Sequence, residues 1–427
     1  MTLASFKLIV ACGVLLAGAA SSRSQPLAIR TLAGSLVAGD ADGFGSNAKF
    51  SLPTGMATDG TGNVFVTDTQ NATIRKIAPD GFVSTLAGRA GYFGSADGAG
   101  TNAQFYGLQG IASDSQGNLY VTDTANATLR KITPAGGVTT LAGDVGNFNS
   151  FDGVGADAQF YQPEGVTVDA AGNICVADAW NHTIRKITPA GVVSTLAGLA
   201  GNPGSRDGPN SAARFNRPSS LAADSATNLF VTDSLNHTIR RISPAGLVTI
   251  IAGLAGVWGS ADGTNTSARF FQPQGIVALG TNTLFVADSG NNVIRRLTAE
   301  GTNWIVSTVA GLPGGAGSAN GTGSFARFDF PAGLAADGAD HLHIADAGNH
   351  LVRTTRVVPP TLQTVSTHPQ LVLSWPTSAE DFVLESSPGV GGSVWTTITN
   401  GIVNLGDNFG LTNSADNPAA FYRLHKP

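Results

Sequence analysis

Cysteine is nearly missing from this 427-residue chain, with only Cys12 and Cys175 present. Cys12 lies in an apolar run from Leu8 to Ala20, preceded by the lone Lys7 and followed by small residues. That layout reads as a secretory signal peptide over residues 1–20, too short to span a bilayer comfortably. Its removal would leave a mature chain with Cys175 alone, no internal disulfide and no transmembrane anchor. Cys175 sits in the apolar stretch NICVAD, where a small buried side chain is expected rather than a reactive thiol. Charge is also scarce, at 12% of residues with a net −5, and the basic residues are spread along the chain. Nucleic acid is therefore not an expected partner, because binding it needs a concentrated positive face. There is no Gly-x-Ser-x-Gly elbow or other nucleophile motif. Glycine is abundant, at 55 residues, but without a collagen-like period.

A long repeat is present instead. VTDTQNATIRKIAPDGFVSTLAG from Val66 returns from Val121, Val176 and Val231, more loosely from Val286, and cut short from Ile344. The aspartates marking the copies are Asp68, Asp123, Asp178, Asp233, Asp288 and Asp346, at four intervals of 55 residues and one of 58. Such a period specifies a repeat architecture. One unit, Leu108 to Gly143, reads as four short β-branched or aromatic strands joined by Asp-, Asn-, Pro- and Gly-bearing turns, with one possible helical turn near Thr101 to Gln104. Six such meanders around an axis make an all-β, six-bladed β-propeller over residues 27–358. The last copy lacks its VSTLAG strand. Ile29-Arg30-Thr31-Leu32-Ala33-Gly34 supplies that pattern at the other end of the chain and is expected to close the ring beside Leu351 to Thr355. Pro359-Pro360 opens a linker. Alternating segments within 359–427 (LVLSW, FVLESS, VWTTIT, AAFYRL) read as a small β-sandwich-like module with Trp375, Trp395 and Phe421 in its core.

The stretches Asn181-His182-Thr183-Ile184-Arg185, Asn236-His237-Thr238-Ile239-Arg240 and Asn349-His350-Leu351-Val352-Arg353 resemble the NHL repeat. The flanking LAG, DG, ARF and P-x-G elements resemble its secreted bacterial branch, and the C-terminal pattern resembles a module found on secreted Verrucomicrobia-like proteins. The resemblance implies a six-bladed propeller. It does not hand over a function, because one fold serves many.

Comparison among the copies separates two classes of residue. Those present in every copy are expected to be architecture: the six aspartates, the asparagines three residues on, and Arg75, Arg130, Arg185, Arg240, Arg295 and Arg353, reaching toward the next blade. A second acidic set, Asp42, Asp97, Asp152, Asp207 and Asp262 with Asn320 as sixth, suits Asx-type turns better than calcium loops. His182, His237 and His350 share one turn slot and raise zinc only weakly.

Positions that differ among copies are the site candidates. Around the channel mouth these are Thr54, Gln109, Glu164, Ser219, Gln274 and Ala332. One long-loop slot holds Gly39, Phe93, Phe148, Pro203, Trp258 and Ala316, and a second holds Ser51, Tyr106, Tyr161, Asn216, Phe271 and Asp329. Trp180 enters from a turn between strands two and three. From these, Glu164, Gln109, Gln274, Phe93, Phe148, Trp258, Trp180, Tyr106 and Tyr161 are the candidate ligand-binding residues. The expectation is an exported, monomeric, non-catalytic protein, secreted, periplasmic or on the cell surface. It would bind a protein, peptide or glycan on its long-loop face, without a cofactor. The alternative is a metal-assisted lactonase or lyase, with calcium or zinc near Glu164.

Overall fold

The computed structural model describes residues 26–337, 341–356, 363–367, 370–376, 383–387, 396–398, 402–404, 408–414 and 421–425. The expected signal peptide lies outside them. The chain divides into two compact units, one of which is Pro26–Val358.

Pro26–Val358 is a six-bladed β-propeller. The blade of the sample repeat contains antiparallel strands Leu108–Ser113, Leu119–Asp123, Thr128–Ile132 and Gly137–Ala142, running from the axis outward. Each sheet has a fifth strand that the repeat pattern did not suggest. It is two residues long and belongs to the connection entering the blade; Gly98–Ala99, for example, pairs with Val138 and Gly137. Two residues are too few for a periodic signal, yet they cap the outer edge and leave less of it open to other chains. No α-helix occurs among the described residues. Short 3-10 turns recur instead, including Gly100–Asn102 where one helical turn was expected.

The ring closes as the sequence indicated. Strand Ala28–Gly34 pairs antiparallel with Leu351–Arg356, Ala28 facing Arg356 and Gly34 facing Leu351. Ala28 and Ile29 also pair with Thr322 and Gly321, so the N-terminal strand sits fourth of five in the last blade. The hydrophobic core is divided among the blade interfaces. Leu27 and Ile29 pack with Val309, Phe328 and Ile344 between blades five and six. Ala33, Ala345 and Val352 meet Met56, Val66 and Ile77 between blades six and one. Both interfaces of the last blade therefore depend on the N-terminal strand.

The recurring residues form one clamp per blade. Arg130 is fully buried, its guanidinium 5.1 Å from the Phe105 ring centroid. Nη1 donates to Asp123 Oδ2 (2.7 Å) and the Gln104 carbonyl, and Nη2 donates to Asp97 Oδ1 (2.7 Å) and the Ala96 carbonyl. The arginine thus holds its own blade to the connection entering it, not to the next blade as expected. Asp97 also accepts from the Thr140 amide and hydroxyl, so it joins two segments instead of making an Asx turn. In the last blade Asn320 takes this place against Arg353. Burial pushes the inner carboxyls up, against the pull of the arginine and the hydrogen bonds, to about 6 at Asp68, Asp178, Asp233 and Asp346.

In the C-terminal unit two antiparallel sheets are described. One orders Gln363–Thr367, Gln370–Pro376, Asn408–Ser414 and Ile402–Asn404; the other orders Thr396–Thr397, Val383–Ser387 and Phe421–His425. Leu373, Leu384 and Leu411 are buried. The side chains of Trp375, Trp395 and Phe421, expected in its core, lie outside the described residues.

Candidate functional site

The constant residues present the variable ones. Each clamp aspartate turns its second oxygen to the backbone of a variable position. Asp123 Oδ1 accepts from the Tyr106 amide and Asp178 Oδ1 from the Tyr161 amide (2.7 Å each), and the other four aspartates do the same at Ser51, Asn216, Phe271 and Asp329. The asparagine three residues on donates to a carbonyl of the long loop, as Asn181 does to Asn149 and Asn236 to Gly204. The backbone is therefore fixed by repeated chemistry while the side chain is free to change. These contacts correct one slot: Gly39 aligns with Gly94, so Ala38 and not Gly39 is the counterpart of Phe93.

Thr54, Gln109, Glu164, Ser219, Gln274 and Ala332 line a cavity of about 50 Å³ at one end of the axis, as the topology suggested. The Thr54 and Ser219 hydroxyls are engaged by neighbouring hydroxyls, Thr69 (2.7 Å) and Ser234 (2.6 Å). Gln109, Glu164 and Gln274 remain as the distinctive polar side chains of the rim. Just below, the inner strands approach closely at glycines: a Cβ on Gly110 would lie 2.4 Å from the Glu164 carbonyl. A larger cavity, about 220 Å³, opens at the other end, but no charged side chain lines it.

Glu164 is the centre of the most specific arrangement. It is buried, and its Oε1 accepts from Nε of Arg217 at 3.0 Å, with Nη2 of the same guanidinium also 3.0 Å away as an ion pair. Burial raises its carboxyl above the usual glutamate range and the arginine opposes that rise. The Arg217 guanidinium lies 5.7 Å from the Trp180 ring centroid. Trp180 packs at a tilt against Tyr161 (5.9 Å between centroids), and Tyr161 against Phe148 (5.6 Å). A continuous array, Phe148–Tyr161–Trp180–Arg217–Glu164, therefore runs from a long loop to the channel mouth. The turn bearing Trp180 also positions Arg217, because His182 Nδ1 accepts from the Arg217 amide at 3.1 Å. That bond holds Arg217 at φ +54°, a region non-glycine residues seldom adopt.

The other candidates form smaller groups. Phe93 packs at a tilt against Tyr106 (5.6 Å between centroids) and Trp258 against Phe271 (5.2 Å). Phe93, Tyr106, Phe148, Tyr161, Trp180 and Trp258 keep between 36% and 65% of their surface exposed despite these contacts. The histidine slot serves the blade interfaces. His237 and His350 accept amides of Gln272 and Leu52 as His182 does that of Arg217, and Asn292 accepts the Phe330 amide in the same way. Among the described residues no three His, Cys, Asp or Glu side chains are grouped so as to hold a metal ion.

A family model described as the Teneurin NHL domain matches residues 147–356. Over 148 residues the chain is 32% identical to NHL repeat-containing protein 2 of Homo sapiens, covering 32% of this chain and 20% of that protein. It is 26% identical over 376 residues to Teneurin-m of Drosophila melanogaster, covering 78% of this chain and 13% of that one. The chain spans about a fifth or less of the length of these curated relatives. Among solved structures, an auxiliary nutrient binding protein from Bacteroides thetaiotaomicron superposes with a TM-score of 0.59 at 16% identity, covering 78% of this chain and 76% of that one. The chain is an NHL-repeat propeller.

Within this NHL propeller, sequence comparison among blades found every member of the array except Arg217. Its counterparts are Leu52, Gly107, Gln162, Gln272 and Phe330, so the signal was present as a lone charge in a variable row. What it lacked was a partner. Arg217 and Glu164 are 53 residues apart in sequence and meet only because adjacent blades converge at the axis.

Proposed function

We propose that this NHL propeller is an exported, non-catalytic binding protein whose ligand docks on the long-loop face over the channel mouth. The array from Phe148 to Glu164 carries this reading. Its rings are exposed, yet their backbones are pinned by buried clamps, so the contact surface is pre-organised and binding orders few side chains. Binding of this kind needs no metal or cofactor, and the chain acts as a monomer. Immobilised protein probed with combined glycan and peptide arrays is the test. Binding is expected, and Phe148→Ala with Trp258→Ala should weaken it about tenfold or more. An absence of ligands, or binding unchanged by those substitutions, would refute the proposal.

One observation favours catalysis instead: the buried carboxyl of Glu164 at the mouth, held above its usual range. Stoichiometric calcium or zinc in the purified protein, with lactone hydrolysis abolished by Glu164→Gln, would replace binding by metal-assisted catalysis.

A further inference from the structure

We propose that the ligand is a neutral, linear oligosaccharide lying across the channel mouth. This rests on the binding function proposed above and names the ligand class.

The rings are the first reason. Tyr161, Trp180 and Trp258 already touch neighbouring rings at a tilt yet stay 36%, 44% and 65% exposed. A ring serving only to pack loops together would be covered more completely. An open aromatic face suits the C–H face of a sugar ring, which is apolar and flat.

Charge is the second. Arg217 is matched by Glu164 at 3.0 Å, so the polar end of the array is an ion pair with no excess charge. Such a pair offers donors and acceptors side by side, as adjacent hydroxyls require. An anionic ligand would have to compete with Glu164 for the guanidinium.

Placement is the third. Aromatic pairs occur in blades two, three and five, while blades one, four and six carry Ser51, Asn216 and Asp329 at the same position. Blade five stands across the axis from blade two in a ring of six. A ligand touching both sides must cross the mouth. It lies over the cavity and not inside, since about 50 Å³ holds only a few waters. A peptide held through its backbone as an added strand would call for an open sheet edge. The outer blade edges face away from the mouth and already carry the two-residue fifth strands, while the inner edges surround an opening of about 50 Å³, too narrow to admit a peptide strand.

The experiment uses the full chain without its first 20 residues and neutral β-glucans, mannans, xylans and galactans, from disaccharide to octasaccharide, by calorimetry. Affinity should rise with length for at least one series. Trp180→Ala and Trp258→Ala should each lower it roughly tenfold, with thermal midpoints unchanged, and Trp180→Tyr should retain most of it. Trp258 is the control against misfolding, since it is the more exposed of the two. Capture of peptides on this face without any oligosaccharide would overturn the sugar assignment and leave the binding function standing. Selective binding of acidic glycans with strong salt dependence would overturn neutrality. Tight monosaccharide binding without gain from length would overturn the crossing geometry, and no ligand of any class would overturn both proposals.

Discussion

Truncation of the closing strand is the most direct test of the ring. Ile29 occupies the position held by Val83, Val138, Val193, Val248 and Val306 in the other blades, and all are nearly inaccessible. It differs in that Ala28–Gly34 is joined to the last blade only through pairing and packing, not through a hairpin. Ile29→Ala should cost about 2–5 kcal/mol, the loss of buried methyl groups plus the space they leave. Arg30→Ala, on the exposed side of the same strand, should stay within about 0.5 kcal/mol. A stability of about 5–15 kcal/mol is usual for a folded chain, so the first change is a large fraction of the total. Urea unfolding should show a lower midpoint at unchanged slope for Ile29→Ala. Hydrogen exchange should show lost protection in Leu351–Arg356, its pairing partner, when residues 26–34 are deleted. A peptide of residues 27–34 added to that truncated chain should restore the protection. If Ile29→Ala were no more harmful than Arg30→Ala, or deletion left Leu351–Arg356 protected, the strand would not be what closes the ring.

Three further outcomes follow from the clamps and interfaces. Asp123→Ala should cost about 3–5 kcal/mol because it strands the buried Arg130, whereas Asp97→Ala, at the solvent-exposed end of the same guanidinium, should cost about 1 kcal/mol or less; thermal unfolding compares them. Gly110→Ala should lower stability by about 1–3 kcal/mol, by driving a methyl against the Glu164 carbonyl of the next blade, and a fall in midpoint checks it. His182 and His237 are held below the usual histidine range by burial, and their Nδ1 atoms must stay unprotonated to accept a backbone amide. Their contribution should therefore be present above about pH 6.5 and lost as pH falls through the lowered folded value. The raised clamp carboxyls act in the opposite sense, so the observable is a difference: His182→Asn with His237→Asn should gain on the parent below that pH and match it above. A constant difference across pH 5–8 would sink the histidine account.

Much of the architecture was legible in the sequence because repetition makes it so. Six copies with one displaced strand specify six blades and their closure, since a meander that cannot bury its faces alone must stack on its neighbours. The division of constant from variable positions also came from sequence, and the rim of the channel mouth follows from topology. Three things were decided only by tertiary structure. The direction of the arginines was one: strand pairing and the incoming connection, not the repeat, put both carboxylates beside the same guanidinium. The two-residue fifth strands were another, too short for any periodicity to announce. The third was the site itself. Glu164 looked like an isolated carboxylate, and becomes half of an ion pair because the start of the innermost strand of blade three, Pro163–Val168, faces the entry into blade four. The sequence by itself determined which positions were free to differ. Only the convergence of blades on one axis decided which of those differences meet, because there side chains 53 residues apart become neighbours.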